Sequence, residues 1–150
     1  RALEVCLGSG APFSTFGPGM DAFPATRFVL VGLDVDRAFM DDRIARRYDQ
    51  QMADGFLDEV SRLVDRPSGL SRTARQALGY RELISHLAGD LSLADALDDA
   101  KRRTRRFARR QQRWFGRDPR IHWIRIDAEH PPSSEDVIAE VRNRWGDRTD

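Results

Sequence analysis

Apolar and small residues recur at alternating steps of four and three positions through residues 93–114. This spacing places them on one face of a continuous helix. Ser92 and Asp95 form a capping-box pattern at its start, and Gly116 marks its end. We therefore predict one long helix that packs along a single face. The residues on that face are Leu93, Leu97, Ala100, Thr104, Phe107, Gln111 and Trp114.

Two short apolar runs are predicted to be β-strands. Phe28–Leu33 is apolar without interruption, which is typical of a strand buried on both faces of a parallel sheet. Ile121–Ile126 is the second run. Two strands cannot cover both faces and both edges of such a sheet. We therefore expect an α/β protein that is mostly helical in this chain, and a chain that is the C-terminal piece of something larger.

Helical spacing and cap residues predict the remaining helices. Asp36 is a typical N-cap residue, Gly55 a typical helix terminator, and Ser133 with Asp136 a second N-terminal cap. Gly79 interrupts a helical pattern. The predicted segments are Arg1–Leu7, 37 to about 53 with Met40, Ile44, Tyr48 and Met52 buried, Phe56–Val64, Thr73–Leu87 in two parts, and 134 to about 145.

Basic residues are concentrated in one segment, Lys101–Arg120. It holds ten of the 25 basic side chains and one of the 24 acidic ones, which gives a formal charge of +9. The rest of the chain has 15 basic and 23 acidic side chains, so it carries −8, and the whole chain is only +1. Focused positive charge on a helix is typical of binding to a polyanion such as a nucleic acid. A solvated arginine-rich surface is the alternative.

Composition excludes several kinds of site within these residues. Cys6 is the only cysteine, so the chain can form neither an internal disulfide nor a cysteine-based zinc site. Lys101 is the only lysine, which excludes a GxxxxGK[ST] phosphate loop. His86, His122 and His130 are scattered and are predicted to be structural or surface residues. No apolar run approaches the roughly 18 residues of a membrane-spanning helix, and we expect a cytoplasmic protein.

Two arginines on the predicted helix after the first strand lack helical partners. Arg43 and Arg47 are four residues apart and have no acid three or four positions away. Arg46, by contrast, can pair with Asp42 or Asp49. Like charges at this spacing repel, so the pair favours an external anion, and a diphosphate could bridge both guanidinium groups. Acidic partners from elsewhere in the fold are the alternative.

Four blocks of the sequence are long, ordered and distinctively spaced: RALEV at Arg1–Val5, DRIARRYDQQMADGFLDEV at Asp42–Val60, QALGYRE at Gln76–Glu82 and RRTRRFARRQQRWFGRDPRIHWI at Arg102–Ile124. Together they resemble the C-terminal part of the bacterial tRNA dimethylallyltransferases, which are also called tRNA isopentenyltransferases. The resemblance covers most of residues 1–124, whereas residues 11–26 and 127–150 match poorly.

This resemblance implies transfer of a dimethylallyl group from dimethylallyl diphosphate to N6 of the adenosine on the 3′ side of the tRNA anticodon. It implies a nucleotide-binding (ATP-binding) core of the P-loop NTPase type, assisted by Mg²⁺. The phosphate loop, the general-base Asp and most magnesium ligands would lie in an N-terminal part that this chain lacks. We therefore expect no catalytic residue here and no activity of the chain alone.

The resemblance also implies partners and a division of the chain. The partners would be the tRNA anticodon stem-loop and dimethylallyl diphosphate, without a membrane, and the intact enzyme would be a monomer. Residues 1–126 would be the C-terminal part of the transferase core with tRNA-binding helices. Residues 127–150 would be a C-terminal helix and tail.

Individual roles follow from the matching positions. The resemblance assigns contact with the diphosphate to Arg43 and Arg47. Gly79 would let the RNA approach the backbone closely, and Tyr80 could stack on a base or belong to the core. Trp114 lies on the packing face and is expected to be structural. The implied tRNA-binding residues are Arg1, Gln76, Gly79, Tyr80, Arg81, Arg109, Arg110, Gln111 and Phe115.

Two other functions fit parts of the pattern. A non-catalytic RNA-binding module would use the basic helix, but it would not need a strand from the interior of a sheet. A helix-turn-helix-like DNA-binding regulator would use residues 36–64 as a helix pair and place the basic helix in the major groove. A strong preference for duplex DNA over tRNA would favour the regulator.

Overall fold

The structure, a computed structural model, describes residues 2–16, 22–129 and 132–146. Within these residues the chain is mostly helical, with six α-helices and two parallel strands that form one sheet. The helix-rich α/β composition predicted from the sequence is therefore confirmed. The elements are α1 (Ala2–Ser9), β1 (Leu30–Val35), α2 (Arg37–Ala53), α3 (Phe56–Val64), α4 (Tyr80–Leu87), α5 (Leu93–Phe115), β2 (Ile121–Ile126) and α6 (Ser134–Gly146), with 3₁₀ turns at Phe13–Thr15 and Ala74–Gln76.

The described chain divides into two compact units. Residues 35–112 form a helical unit that contains α2, α3, α4 and most of α5. The described parts of residues 1–34 and 113–150 form the other unit, with α1, nearly all of the sheet and α6. Of the helices described, none is both long enough and apolar enough to cross a bilayer.

The core of the helical unit lies where α2, α3, α4 and α5 pack together. The predicted buried face of α2 is confirmed, because Ile44 and Tyr48 are buried and the two methionines of that face pack against the same cluster. Val60 of α3 and Leu83 of α4 are completely buried. The buried members of the cluster are Ile44, Tyr48, Phe56, Val60, Leu83 and Ala100.

Local cap chemistry sets the ends of the helices, as the sequence predicts. The Asp36 carboxylate accepts hydrogen bonds from the backbone N–H groups of Ala38 (2.8 Å) and Phe39 (3.1 Å) at the start of α2. Gly55 follows the end of α2 with a φ of +91°, a conformation that side chains disfavour, and α3 begins at the next residue. At the start of α6, Ser133 and Asp136 exchange hydrogen bonds.

The long basic helix is present, but only half of its predicted packing face is covered. Ala100 and Thr104 are buried. Phe107 and Gln111 are exposed, and Trp114 is 57% exposed, so the prediction that Trp114 is a structural packing residue is wrong. The physical reason is length, because α5 has 23 residues whereas α2, the longest helix of the shared core, has 17. The described residues leave the last turns of α5 largely uncovered.

Strand β1 differs from its prediction in both position and burial. It begins at Leu30 and ends at Val35, two residues later than expected at each end. Leu33 is 49% exposed, and Phe28, which precedes the strand, is 62% exposed. Burial on both faces is therefore wrong for this chain, because the described elements do not cover the face that carries Leu33. The parallel orientation is confirmed, and β2 has the predicted bounds.

Gly32 of β1 lies against side chains of β2. A Cβ atom at this position would lie 2.6 Å from two ring atoms of Trp123 and 3.0 Å from Cγ2 of Ile121. Both residues belong to β2. The missing side chain therefore makes room for the indole ring against β1.

We predict that Gly32→Ala destabilises the chain by about 1–3 kcal/mol, because the added methyl group must displace the Trp123 ring. Urea unfolding followed by circular dichroism measures the change. Gly8→Ala is the control, since a Cβ there meets no atom within 4 Å and Gly8 lies in α1. The control should be neutral or stabilising by up to about 1 kcal/mol. Equal unfolding free energies for Gly32→Ala and the parent would contradict this packing.

Candidate functional site

Helix α2 carries two arginines without an acidic partner among the residues that the structure describes. Arg46 pairs with Asp42 at 2.6 Å, as the helical spacing predicts. Arg43 and Arg47 are exposed, and neither forms an ion pair with any residue that the structure describes. The alternative of acidic partners from elsewhere is thus not found in the described part of the chain. The two guanidinium groups keep their donors available for an external anion.

A cavity of about 240 Å³ lies beside Arg47 in the helical unit. It brings together two residues that the sequence assigned to different ligands, Arg47 to the diphosphate and Tyr80 to tRNA. Arg43, one turn away on α2, is not among the lining residues. The lining combines aromatic rings, one cation, two carboxylates and one amide: Arg47, Tyr48, Gln51, Asp54, Phe56, Glu59, Leu78 and Tyr80.

The Tyr80 ring is held at this cavity by two contacts. Its ring meets Phe56 edge to face, with centroids 5.2 Å apart and planes at 77°. Its hydroxyl donates a hydrogen bond of 2.5 Å to Oε1 of Glu59. That hydrogen bond, together with burial, raises the pKa of Tyr80, whose phenol is neutral at physiological pH even without this shift. Tyr80 therefore presents an uncharged aromatic surface in a fixed orientation.

Gly79 fixes the backbone immediately before Tyr80. Its φ is +89°, which favours glycine. A Cβ atom at Gly79 would lie 3.0 Å from Cε1 of Phe56 and 3.2 Å from Cε1 of Tyr48. The space that the missing side chain leaves is thus filled by aromatic rings of the core and the cavity. This turn places Gln76 and Arg81, both exposed, on either side of Tyr80 along the chain.

The basic residues of α5 divide into two groups. Lys101 pairs with Asp49 at 2.7 Å, and Nε of Arg105 lies 4.0 Å from Oδ1 of Asp41. Arg102 pairs with Asp99 and Arg103 with Glu82. The next four arginines form no ion pair with any described residue. They are Arg106, Arg109, Arg110 and Arg113.

The predicted tRNA-binding residues on α5 lie in the second, unmatched group or just beyond it. Arg109 is half-buried, and Arg110 lies over the Phe107 ring with 5.8 Å from Cζ to the centroid. Gln111 is exposed, and Phe115, which belongs to the other compact unit, is 46% exposed. Arg1, the remaining predicted contact, lies outside the described residues.

Sequence reasoning missed two functional candidates, Glu59 and Glu82. Glu59 holds the Tyr80 hydroxyl from 21 positions away, and no local pattern indicates that contact. Glu82 follows Gly79 by three residues, which is the capping-box spacing and could have identified it. Glu82 is 4% exposed, so this carboxylate belongs to the interior.

The described residues supply no ligand set for the magnesium that the resemblance implies. Among them, no group of three or more His, Cys, Asp or Glu side chains is arranged to hold a metal ion. The histidines behave as the sequence predicts where they are described: His86 contacts the Leu91 carbonyl oxygen at 3.0 Å, and His122 is exposed. His130 lies outside the described residues.

Curated relatives match most of the chain. Two of these relatives carry the name tRNA dimethylallyltransferase. The one from Nocardioides sp. is 48% identical over 127 residues, which are 85% of this chain and 41% of the relative. The one from Bifidobacterium animalis subsp. lactis is 46% identical over 145 residues, which are 94% of this chain and 39% of the relative. The chain thus spans about two fifths of the length of these relatives.

Solved structures with the same fold agree with these matches. The tRNA delta(2)-isopentenylpyrophosphate transferase of Staphylococcus epidermidis superposes with a TM-score of 0.74 at 27% identity, over 99% of this chain and 47% of that one. The full-length tRNA isopentenylpyrophosphate transferase of Bacillus halodurans superposes with a TM-score of 0.67 at 34% identity, over 79% of this chain and 38% of that one. A sequence model of the family described as IPP transferase matches residues 1–118. The chain belongs to the IPP transferase family.

Proposed function

We propose that this chain is the C-terminal part of a tRNA prenyltransferase. The reaction is transfer of a dimethylallyl group from dimethylallyl diphosphate to N6 of the adenosine on the 3′ side of the anticodon. The names of the relatives support this choice over a non-catalytic RNA-binding module or a DNA-binding regulator. One observation in this chain carries it: Arg47, without an ionic partner among the described residues, lines the same cavity as Tyr80.

Arg43 and Arg47 are proposed to bind the diphosphate. In the reaction N6 forms a bond to the allylic carbon and gives up one proton to the general base outside this chain. The carbon–oxygen bond breaks, and its electron pair leaves with the diphosphate. Negative charge grows on that group in the transition state, so fixed cations beside it lower the barrier. The spacing of one helical turn suits two phosphoryl groups better than one.

The unmatched arginines of α5 are proposed to bind the backbone of the anticodon stem-loop. Phosphate contacts give affinity and orientation, while the base is recognised separately. The target adenosine must leave its stack, which costs a few kcal/mol, before its N6 can react. Tyr80 is the residue of the cavity on which a displaced base can stack. Gln76, Gly79 and Arg81 form the turn and helix start around it.

The remainder of the catalytic apparatus is proposed to lie outside this chain. That part would contain the P-loop NTPase-like core, the phosphate loop, the general base and the magnesium ligands. When bound, magnesium would neutralise charge on the diphosphate. A monomeric, cytoplasmic enzyme, with a boundary at residue 126 between the core and its C-terminal tail, stays part of this proposal.

We predict that the 150-residue chain alone transfers no dimethylallyl group, because it lacks the general base and the phosphate loop. The assay incubates it with tRNA, magnesium and radiolabelled dimethylallyl diphosphate and measures the label in tRNA. The positive control joins the chain to the preceding segment of its Nocardioides sp. relative. Labelled tRNA from the chain alone would refute the prediction.

We predict that Arg47→Ala in the joined protein lowers kcat by roughly 10²–10³, the loss expected when a donor to a developing anion is removed. The KM for dimethylallyl diphosphate should rise, while tRNA affinity stays within about twofold, since backbone contacts lie elsewhere. Arg46→Ala is the matched control, because Arg46 is on the same helix but pairs with Asp42. Unchanged kinetics for Arg47→Ala would remove it from the site.

We predict that Arg109→Gln with Arg110→Gln weakens tRNA binding by the chain. The slope of log K against log salt concentration should fall by about 2, since each phosphate contact contributes about 1. Arg102→Gln is the control because Arg102 already pairs with Asp99. A double variant with the parental salt slope would argue against α5 as the RNA contact.

A further inference from the structure

The Glu82 carboxylate occupies an unusual place for a charged group. It is 4% exposed and lies in α4 beside the completely buried Leu83. A buried carboxylate is tolerated only when its oxygens have partners. Oε2 accepts a hydrogen bond of 3.0 Å from the Gly79 N–H, and Oε1 accepts one from the Arg103 guanidinium. Each oxygen therefore binds a different element of the helical unit.

The first partner belongs to the turn that carries Tyr80. Gly79 lies close to Phe56 and Tyr48. A Cβ atom added at Gly79 would be 3.0 Å from the Phe56 ring and 3.2 Å from the Tyr48 ring. Both rings also line the cavity. A small displacement of Gly79 would therefore move the Tyr80 backbone and loosen the edge-to-face contact between Tyr80 and Phe56.

The second partner belongs to the basic helix. Arg103 precedes Arg106 by three residues and Arg110 by seven, so the three share one face of α5. Arg103 is matched by Glu82, whereas Arg106 and Arg110 have no acidic partner among the described residues. The Glu82 carboxylate thus joins the helix proposed to hold RNA to the turn at the cavity.

We propose that Glu82 is a positioning residue that fixes the Gly79–Tyr80 turn against α5 through Arg103. This inference rests on the proposed function for its consequence, which is that the displaced base meets Tyr80 in a defined place. A helix cap alone would need only Oε2. The hydrogen bond that Arg103 donates to Oε1 goes beyond capping and holds the carboxylate in one orientation.

Glu82→Gln separates capping from positioning. The glutamine oxygen can still accept from the Gly79 N–H, but its amide group faces the Arg103 guanidinium donor to donor. Arg103→Lys keeps the positive charge and can still donate a hydrogen bond to Oε1 of Glu82, so it serves as the conservative variant. Asp99→Asn is the matched control, because it neutralises the carboxylate of the exposed Arg102 pair on the same helix.

The first measurement uses the free 150-residue chain and follows amide hydrogen exchange at Gly79. Glu82→Gln should speed exchange about tenfold or more, because losing the charge-assisted bond from Arg103 releases the side chain that holds the Gly79 N–H. Arg103→Lys should stay within about threefold of the parent, since a charge-assisted bond is retained. Asp99→Asn should leave the rate unchanged. A parental rate for Glu82→Gln would mean that Glu82 only caps α4, and it would overturn the proposal.

The second measurement uses an anticodon stem-loop RNA with 2-aminopurine on the 3′ side of the anticodon. Glu82→Gln should bind it within about twofold of the parental affinity, since the phosphate contacts remain, yet lose most of the fluorescence change. A full fluorescence change, or a loss of fluorescence and affinity in parallel, would overturn the positioning role. If the parent chain binds no RNA, the proposed function fails, and the exchange rates alone still decide whether Glu82 positions the turn.

Discussion

The buried contact between Tyr48 of α2 and Thr104 of α5 sets the geometry of the helical unit. The two hydroxyl oxygens are 3.0 Å apart. Thr104 has one proton, and its Oγ1 lies 2.9 Å from the Ala100 carbonyl, which can only accept it. Tyr48 must then donate to Thr104. This ordered pair favours one rotation of α2 against α5, because the Tyr48 hydroxyl would be a buried unsatisfied group without Thr104.

The same junction explains why the basic residues of α5 divide into a paired and an unpaired group. Near the Tyr48–Thr104 pair, Lys101 and Arg103 have acidic partners on neighbouring helices, and these pairs add to the packing between helices. Beyond Arg105, no described carboxylate pairs with the basic residues of α5, which are Arg106, Arg109, Arg110 and Arg113. The distinction depends on the neighbours of each side chain and not on its identity. The length of α5 therefore leaves its distal arginines without ionic partners, which makes them available for the RNA contact proposed above.

Local chemistry made much of this fold predictable. The bounds of α3 and β2 match the sequence prediction at both ends, because Gly55 and the residues after Gly116 impose them. The missing helical partners of Arg43 and Arg47 were also visible from spacing alone. Burial was less predictable, since the exposure of Trp114 and Leu33 depends on which segments cover them. Contacts across many residues, such as Arg103 with Glu82, leave no periodic signal in the sequence.

The cavity beside Arg47 is lined by two carboxylates as well as one cation, which is not the lining expected of a site for phosphate alone. Glu59 and Asp54 both line it, and each is bonded within the fold, to Tyr80 and to Gln50. Two carboxylates repel a bare polyanion, whereas they accept N–H donors from a neutral base. Under the proposed function, α5 would neutralise the RNA backbone and the cavity would receive one uncharged base. The anion would then lie at the exposed guanidinium groups of α2, because Arg47 borders the cavity and neither Arg43 nor Arg47 has an ionic partner among the described residues.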